Sequence, residues 1–225
     1  MSTLSIIIPC LNEAAVIQRL LASLQPARAR GAELVVVDGD SHDETIQLAE
    51  PLVDLVLITV AGRARQMNAG AAASNGDVLW FLHADSVVDS TFPEVILSVM
   101  DAADVSWGRF DVALAGRSPL FRMIEFMMNW RSRLTGIVTG DQGMFIRRKL
   151  FEQAGGFPEI PLMEDIQLST RLRKRCWPTA LHYRIVTSTR RWEQSGILRT
   201  IVLMWRLRLA FFFGADPEQL AQRYR

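Results

Sequence analysis

The chain lacks the cysteines of a disulfide scaffold, the net charge of a polyelectrolyte binder and the long uncharged apolar run of a membrane span. Its two cysteines, Cys10 and Cys176, lie far apart and in no metal-ligand spacing, which points to a reducing compartment. Lys plus Arg number 25 against 24 Asp plus Glu, so no long-range positive field is available to attract a nucleic acid. No basic stretch followed by a long apolar one opens the chain, so a secretory leader is not expected and a cytoplasmic setting is. No G-x-G-x-x-G follows the first strand-like run, which argues against a dinucleotide-dependent oxidoreductase. No internal repeat or low-complexity linker interrupts the sequence. A single domain over 1–225 is the economical expectation, because a chain of this length buries a sizeable core without staples.

What is present is alternation. Leu4 to Pro9 is a continuous buried-strand pattern, and Asn12 offers a helix cap before Ala14 to Leu24. Glu33 to Val37 reads as a second strand ending in Asp38-Gly39-Asp40-Ser41, followed by a helix from about Asp43 to Glu50. A strand from Leu55 to Val60, a helix from Arg65 to Ser74 and a strand from Asp77 to Leu82 complete the first half. Strands apolar on both faces and separated by helices predict a parallel sheet covered on both sides. Ligands in such sheets bind beyond the carboxyl ends of the strands. Asp38 and Asp85 fall just past two of those ends.

The second half is less regular. Pro119 to Leu134 looks helical and unusually apolar, Gly143 to Ile146 reads as a strand, and Gly155-Gly156-Phe157-Pro158 marks a loop. Asp165 to Lys174 is a predicted helix and Ala180 to Val186 a predicted strand. Taken singly, Asp38, Asp85, Glu164 and Asp165 read more readily as structural acids; Glu164-Asp165 at a helix start suits the macrodipole. Their joint spacing is what suggests chemistry, since an acid at such an edge can hold a hard cation or accept a proton-bearing group.

Five segments, in order, carry a resemblance. SIIIPCLNE (Ser5 to Glu13), VVVDGDSHDET (Val35 to Thr45), GRARQMNAG (Gly62 to Gly70), GDVLWFLHAD (Gly76 to Asp85) and AGGFPEIPLMEDIQLSTRL (Ala154 to Leu172) together resemble family-2 glycosyltransferases of the GT-A fold. With RRWE (190–193), the stretch from Arg63 to Asp85 resembles a small soluble subgroup assigned by homology. The resemblance implies an α/β fold with a mostly parallel central sheet flanked by helices and a C-terminal apolar helix. It also implies a nucleotide-sugar-binding half to about 115, an acceptor and catalytic half over about 116–195, and a helical segment from about 196.

The same resemblance implies the site. Asp38 would bond the donor's base, with uracil expected, while Pro9, Leu11 and Glu13 line the nucleotide pocket and Arg63 and Asn68 face the nucleotide. Asp85 would hold Mg²⁺ or Mn²⁺ against the diphosphate, and Asp165, beside Glu164, would be the general base for an acceptor hydroxyl of unknown identity. The family's first metal-motif acid is His83 here. Histidine can bind Mn²⁺ or Zn²⁺ but matches Mg²⁺ poorly, so His83, with the adjacent Ala84, is expected to contact the donor, with a metal-ligand role or plain packing as the alternatives for His83. The resemblance allows His182 as a late metal ligand, although a lone strand histidine reads more readily as structural. Asp141, before a strand on the expected acceptor side, is a candidate contact to either sugar. Arg190 and Arg191, beside Trp192, could grip a diphosphate or the acceptor, or form a solvated charge run. The alternatives are a protein that binds a nucleotide-sugar without turning it over, which would have no use for a positioned base, and a nucleotidyltransferase, for which Cys10 to Glu13 lacks a Gly-rich basic loop.

Ile197 to Phe213 is apolar apart from Arg199, Thr200, Arg206 and Arg208. Burying three arginines near a bilayer centre would cost roughly 2.5–3.5 kcal/mol each. The expectation is therefore a helix packed on the domain, contacting another copy or lying on the cytoplasmic face of a membrane, with Arg199 and Arg206 on one face and Arg208 on another.

Overall fold

The computed structural model describes residues 2–102, 104–189, 192 and 196–224. Seven strands form one sheet: β1 Leu4–Cys10, β2 Glu33–Asp38, β3 Leu55–Ile58, β4 Val78–Phe81, β5 Trp107–Leu114, β6 Phe145–Arg147 and β7 Thr179–Thr187. Their order is β3-β2-β1-β4-β6-β5-β7. The pairs β1·β2, β2·β3, β1·β4 and β5·β7 are parallel, whereas β6 runs antiparallel to both β4 and β5. The sheet is thus mostly parallel, as expected, with one reversed strand joining two parallel blocks.

Alternate side chains of the strands feed opposite cores. Ile6, Ile8, Leu34, Val36 and Trp80 pack with Leu20, Leu21 and Leu24 of helix α1 (Ile17–Ala29) and Ile96 of α4 (Phe92–Met100). Ile7, Val35, Val37, Leu79 and Phe81 face the other way, onto Met67 and Ala71 of α3 (Arg63–Ala73), Phe151 of α6 (Arg148–Gln153) and Leu168 of α7 (Glu164–Leu172). The short helix α2 spans Thr45–Ala49. Close approach of α3 to the sheet depends on Gly70: a Cβ there would meet Ile7 Cγ2 at 2.5 Å. Each core side chain of Leu size contributes roughly 1.5–3 kcal/mol by leaving water.

β5 was not legible as a strand, and β6 covers only its start at Trp107 and Gly108. Helix α5 (Pro119–Thr135) completes the exposed edge with side chains one turn apart. Asn129 accepts from Val112 N (2.9 Å) and donates to Val112 O (3.0 Å), while Glu125 Oε1 accepts from Leu114 N (2.5 Å). Buried backbone groups must be paired, and here two polar side chains stand in for a strand. The chain ends in α8 (Ile197–Phe212) and α9 (Pro217–Tyr224).

One local expectation is corrected. Asn12 does not cap α1, whose first residue is Ile17 after Val16 with no side-chain cap. Asn12 instead has φ 55°, and its Oδ1 accepts from His42 N (2.9 Å), so it ties the loop after β1 to the loop after β2. Asparagine tolerates this left-handed conformation better than most residues.

Candidate active site

β1 to β4 are mutually parallel, so their carboxyl ends open on one edge, and the loops leaving them are laced together. Asn12 N donates to Ser41 Oγ (2.8 Å), Glu13 N to Thr45 Oγ1 (2.8 Å) and Ala14 N to Asp43 Oδ2 (3.1 Å). From α3, the buried Gln66 amide donates to Cys10 O (2.7 Å) and Val37 O (2.8 Å), joining the ends of β1 and β2. Sequence reasoning passed over Gln66. Its signal was its place in a helix otherwise buried on that face.

On the other side, α7 fixes the segment before β6. Asp165 Oδ2 accepts from Gly140 N (2.8 Å), and Ser169, one turn on, both donates to Val138 O (3.0 Å) and accepts from Val138 N (3.1 Å). Asp165 Oδ1 accepts from Ile166 N (2.7 Å). Met163, which precedes the acid pair, is held at φ 71° and is buried against Leu207 of α8 and Leu220 of α9. A non-glycine residue in this region costs on the order of 1–3 kcal/mol, which packing must over-determine.

Between these two walls lies a cavity of about 280 Å³. Pro9, Glu13, Arg63, His83, Ala84, Asp85, Glu164 and Asp165 all line it, as do Thr139, Gly140 and Asp141. Acids widely separated in sequence, Glu13, Asp85 and Asp165 among them, therefore share one space. Thr200, Met204 and Arg208 of α8, spaced four apart, and Tyr224 of α9 also line the cavity. Their place in the cavity was not legible because the apolar residues of α8 are spread over more than one face, which hides the inward stripe.

The electrostatics are mixed. Glu164 is buried, and burial, with Asp165 beside it, pushes its carboxyl above the usual range; Arg63, whose Nη1 is 3.8 Å away, partly offsets this. Crowding works against the Arg63 charge, but Glu164, Asp141 and Asp165 outweigh it and hold the guanidinium above its usual value. Its side chain keeps about half its surface open, so burial of Arg63 is incomplete. Asp141 is likewise crowded, yet the hydrogen bond to His83, with Arg63 and Arg208 nearby, holds it below the ordinary range. His83 Nδ1 stands 3.4 Å from Asp141 Oδ1, while Nε2 has no hydrogen-bond partner among the described residues and abuts Gly140, where a Cβ would come within 2.5 Å.

Other expected residues lie outside this cavity. Asp38 is fully buried, accepting from Ser41 Oγ (2.5 Å) and Ser41 N (2.7 Å), so it shapes the turn after β2. Leu11 borders a second, more open cavity of about 490 Å³ with Asn12, Gly39, Asp40, Ile58 and Val60. Asn68 spends both polar atoms on Phe157, donating to its carbonyl (2.8 Å) and accepting from its N–H (2.9 Å). It thereby staples α3 to the Gly155-Gly156 loop rather than facing the cavity. His182 sits with Arg133 (3.0 Å) and Asp111, away from the cavity lining. Arg190, Arg191 and Glu193 lie outside the described residues; Trp192 lines the cavity. Cys10 is buried, and burial with Asp38 beside it pushes its thiol up, so it offers no nucleophile.

Among the described residues, no three His, Cys, Asp or Glu side chains gather closely enough to hold a metal by themselves. The donor set suits a metal shared with a ligand's phosphates, since Mg²⁺ is commonly held by one or two carboxylates plus phosphate oxygens. Asp85 can supply such a carboxylate.

An α/β sheet with acids gathered beyond its parallel strand ends is the GT-A arrangement of nucleotide-diphospho-sugar transferases, and solved structures of that fold superimpose on it. TarS of S. aureus in complex with UDP-GlcNAc matches with TM-score 0.68 at 20% identity, over 83% of this chain and 58% of that one. The mannosyltransferase PcManGT from Pyrobaculum calidifontis, in complex with GDP-Man and Mn²⁺, matches with TM-score 0.67 at 21% identity, over 98% and 68%. Residues 5–155 match Glycosyl transferase family 2, and the chain belongs to that family. A relative, the probable glycosyltransferase YdaM of Bacillus subtilis, is 26% identical over 93% of this chain and 54% of its own length. The chain spans about half the length of the relatives it matches.

Proposed function

We propose that the protein is an inverting glycosyltransferase that moves a sugar from a nucleotide-diphospho-sugar, a UDP-sugar in the first instance, to an acceptor hydroxyl. The observation that carries this reading is that Asp85 and Asp165 line one cavity together with Glu13, Arg63 and Asp141. The base of the donor would rest in the open cavity beside Leu11 and the Asp38 turn, and the diphosphate would run past Arg63. Asp85 would hold Mg²⁺ or Mn²⁺, which stabilises the charge gathering on a departing diphosphate. Both oxygens of Asp165 are oriented by backbone N–H groups, and each keeps a lone pair for an incoming hydroxyl. In the step, the acceptor oxygen bonds to the anomeric carbon, the bond from that carbon to the diphosphate oxygen breaks, and the hydroxyl proton passes to Asp165. A single displacement inverts the anomeric centre and needs no covalent intermediate, so Asp165 acts as base and Glu164 as its buried neighbour. His83 would bear on Asp141 and the donor. The exposed apolar face of α8 fits peripheral contact with the cytoplasmic face of a membrane.

The solved relatives support the donor class, since TarS holds UDP-GlcNAc and PcManGT holds GDP-Man with Mn²⁺. The test is a thermal-shift screen of UDP- and GDP-sugars with and without Mn²⁺, because a ligand that binds only the native state raises the melting temperature. Asp165→Asn should keep the shift yet lose transfer by about 10²- to 10⁴-fold. Asp85→Asn should lose the Mn²⁺-dependent part of the shift. Unimpaired transfer by Asp165→Asn would remove the mechanism.

A further inference from the structure

α8 carries two apolar faces. Leu203 and Leu207 turn inward, whereas Leu198, Val202, Trp205, Leu209 and Phe212, at alternating spacings of four and three, are each more than half exposed. α5 repeats the pattern: Met123, Phe126, Trp130 and Leu134 are each exposed by 45% or more. The two stripes meet, because Met127 of α5 and Trp205 of α8 line the same narrow apolar slot of about 80 Å³. Monomers seldom leave large contiguous apolar surface in water.

Charge selects what covers this face. α8 contains Arg199, Arg206 and Arg208 and no acid, and the one acid of α5, Glu125, is buried. Acids return only at Asp216 and Glu218, beyond the end of α8. Apolar side chains interleaved with exposed arginines suit an anionic lipid surface. No helix among the described residues is long and apolar enough to cross a membrane, so the face would lie on the bilayer rather than span it.

The slot continues into the catalytic cavity. Asp141, Trp192, Met204 and Arg208 line both. Among the described residues, Arg208 Nε is buried without a hydrogen-bond partner, as are Nε and Nη2 of Arg131 on α5, which lines neither space but stands close enough to Arg208 to feel its charge. Neighbouring guanidinium groups with unused donors are a poor arrangement in isolation and a good one around an anion.

Resting on the glycosyltransferase reading above, we infer that the acceptor is a hydroxyl-bearing anionic lipid. It enters from the bilayer under α5 and α8, with its hydrocarbon chain in the α5–α8 slot and its anionic group at Arg208, where it also offsets the charge of the neighbouring Arg131. Its hydroxyl then lies toward Asp165. Burial of the Arg131 guanidinium beside Arg208 lowers its pKa to about 10, which an anion there would reverse.

The test uses the full chain and vesicles of phosphatidylglycerol and phosphatidylcholine carrying a trace of phosphatidylglycerol with a photoactivatable acyl chain. Flotation with these vesicles, none with phosphatidylcholine alone, and cross-links mapping to 124–128 and 201–205 are expected. Leu209→Glu with Phe212→Glu should cut the bound fraction by about tenfold or more. Met127→Trp, which fills the slot from a partly exposed position, should keep flotation and lose the cross-links. Absent flotation, cross-links confined to other surfaces, or a stable dimer that buries the stripe in a second copy would each overturn the inference. The melting shift with UDP and Mn²⁺ is read on the same samples. Its loss speaks against donor binding, whereas failure of the lipid arms with that shift intact leaves the transferase reading standing.

Discussion

Asp111 shows how one residue organises polar groups that could not otherwise be buried. Its carboxylate accepts from Arg109, which is fully buried, and takes a bidentate pair from Arg133 at 2.7 and 2.8 Å. Burial works against its charge, but Arg133 and Arg109 outweigh it and hold the carboxyl below its ordinary value. Removing one partner of such a cluster leaves an uncompensated charge, so Asp111→Asn should destabilise the fold by about 3 kcal/mol in denaturant unfolding. The candidate site has its own single-residue test. Gly140→Ala would drive a methyl against His83 Nε2 and displace the His83–Asp141 contact. We expect the Ala variant to melt within a few degrees of the parent while its Mn²⁺-dependent thermal shift with UDP falls, since both residues line the cavity. A shift equal to the parent's would show that the pair takes no part in donor binding.

At the scale of elements, the motifs work in pairs that only the fold reveals. The segment holding Asn68 and the Gly-Gly-Phe loop are far apart in sequence, yet Asn68 closes both backbone bonds of Phe157. Gly156, at φ +65°, also leaves no room for a Cβ, which would sit 2.8 Å from Asn68 Oδ1. Asn68→Ala strands both Phe157 groups and should cost about 2 kcal/mol. Hydrogen exchange should show the loss concentrated at 154–158. Loss spread evenly over the chain would contradict a local staple. Asn68 was expected to face the nucleotide because of the motif it stands in, and a motif does not show which of its members will be spent on bracing a neighbouring loop. β5 escaped sequence reading for a different reason. Every residue of β5 is buried, with Arg109 and Asp111 among them, so the apolar pattern that marks a strand is broken by charges the fold pairs internally.

For the whole molecule, the dominant coupling is between stability and the crowded acids. Glu164 has its folded pKa raised above the ordinary 4.5 by burial and by Asp165. A carboxyl raised in this way favours the fold below its unfolded value, and that contribution is lost as pH rises through the folded value. Glu164→Gln cannot ionise, so its melting temperature relative to the parent should climb as pH rises from about 5 to about 8. A difference that stays constant across that window would mean Arg63 already balances the charge.

Composition and periodicity were enough to settle the parallel α/β core, because a strand covered on both faces must be apolar at every position. Ordered motifs were enough to single out Asp85, Glu164 and Asp165, because acids just beyond strand ends or at a helix start have few structural reasons to recur together. Only the tertiary structure decided which candidates share a cavity, that Asp38 and Asn68 brace it, and that α8 roofs it. Those outcomes depend on contacts between residues distant along the chain. A helix with apolar residues on more than one face carries no mark of which face will find a partner.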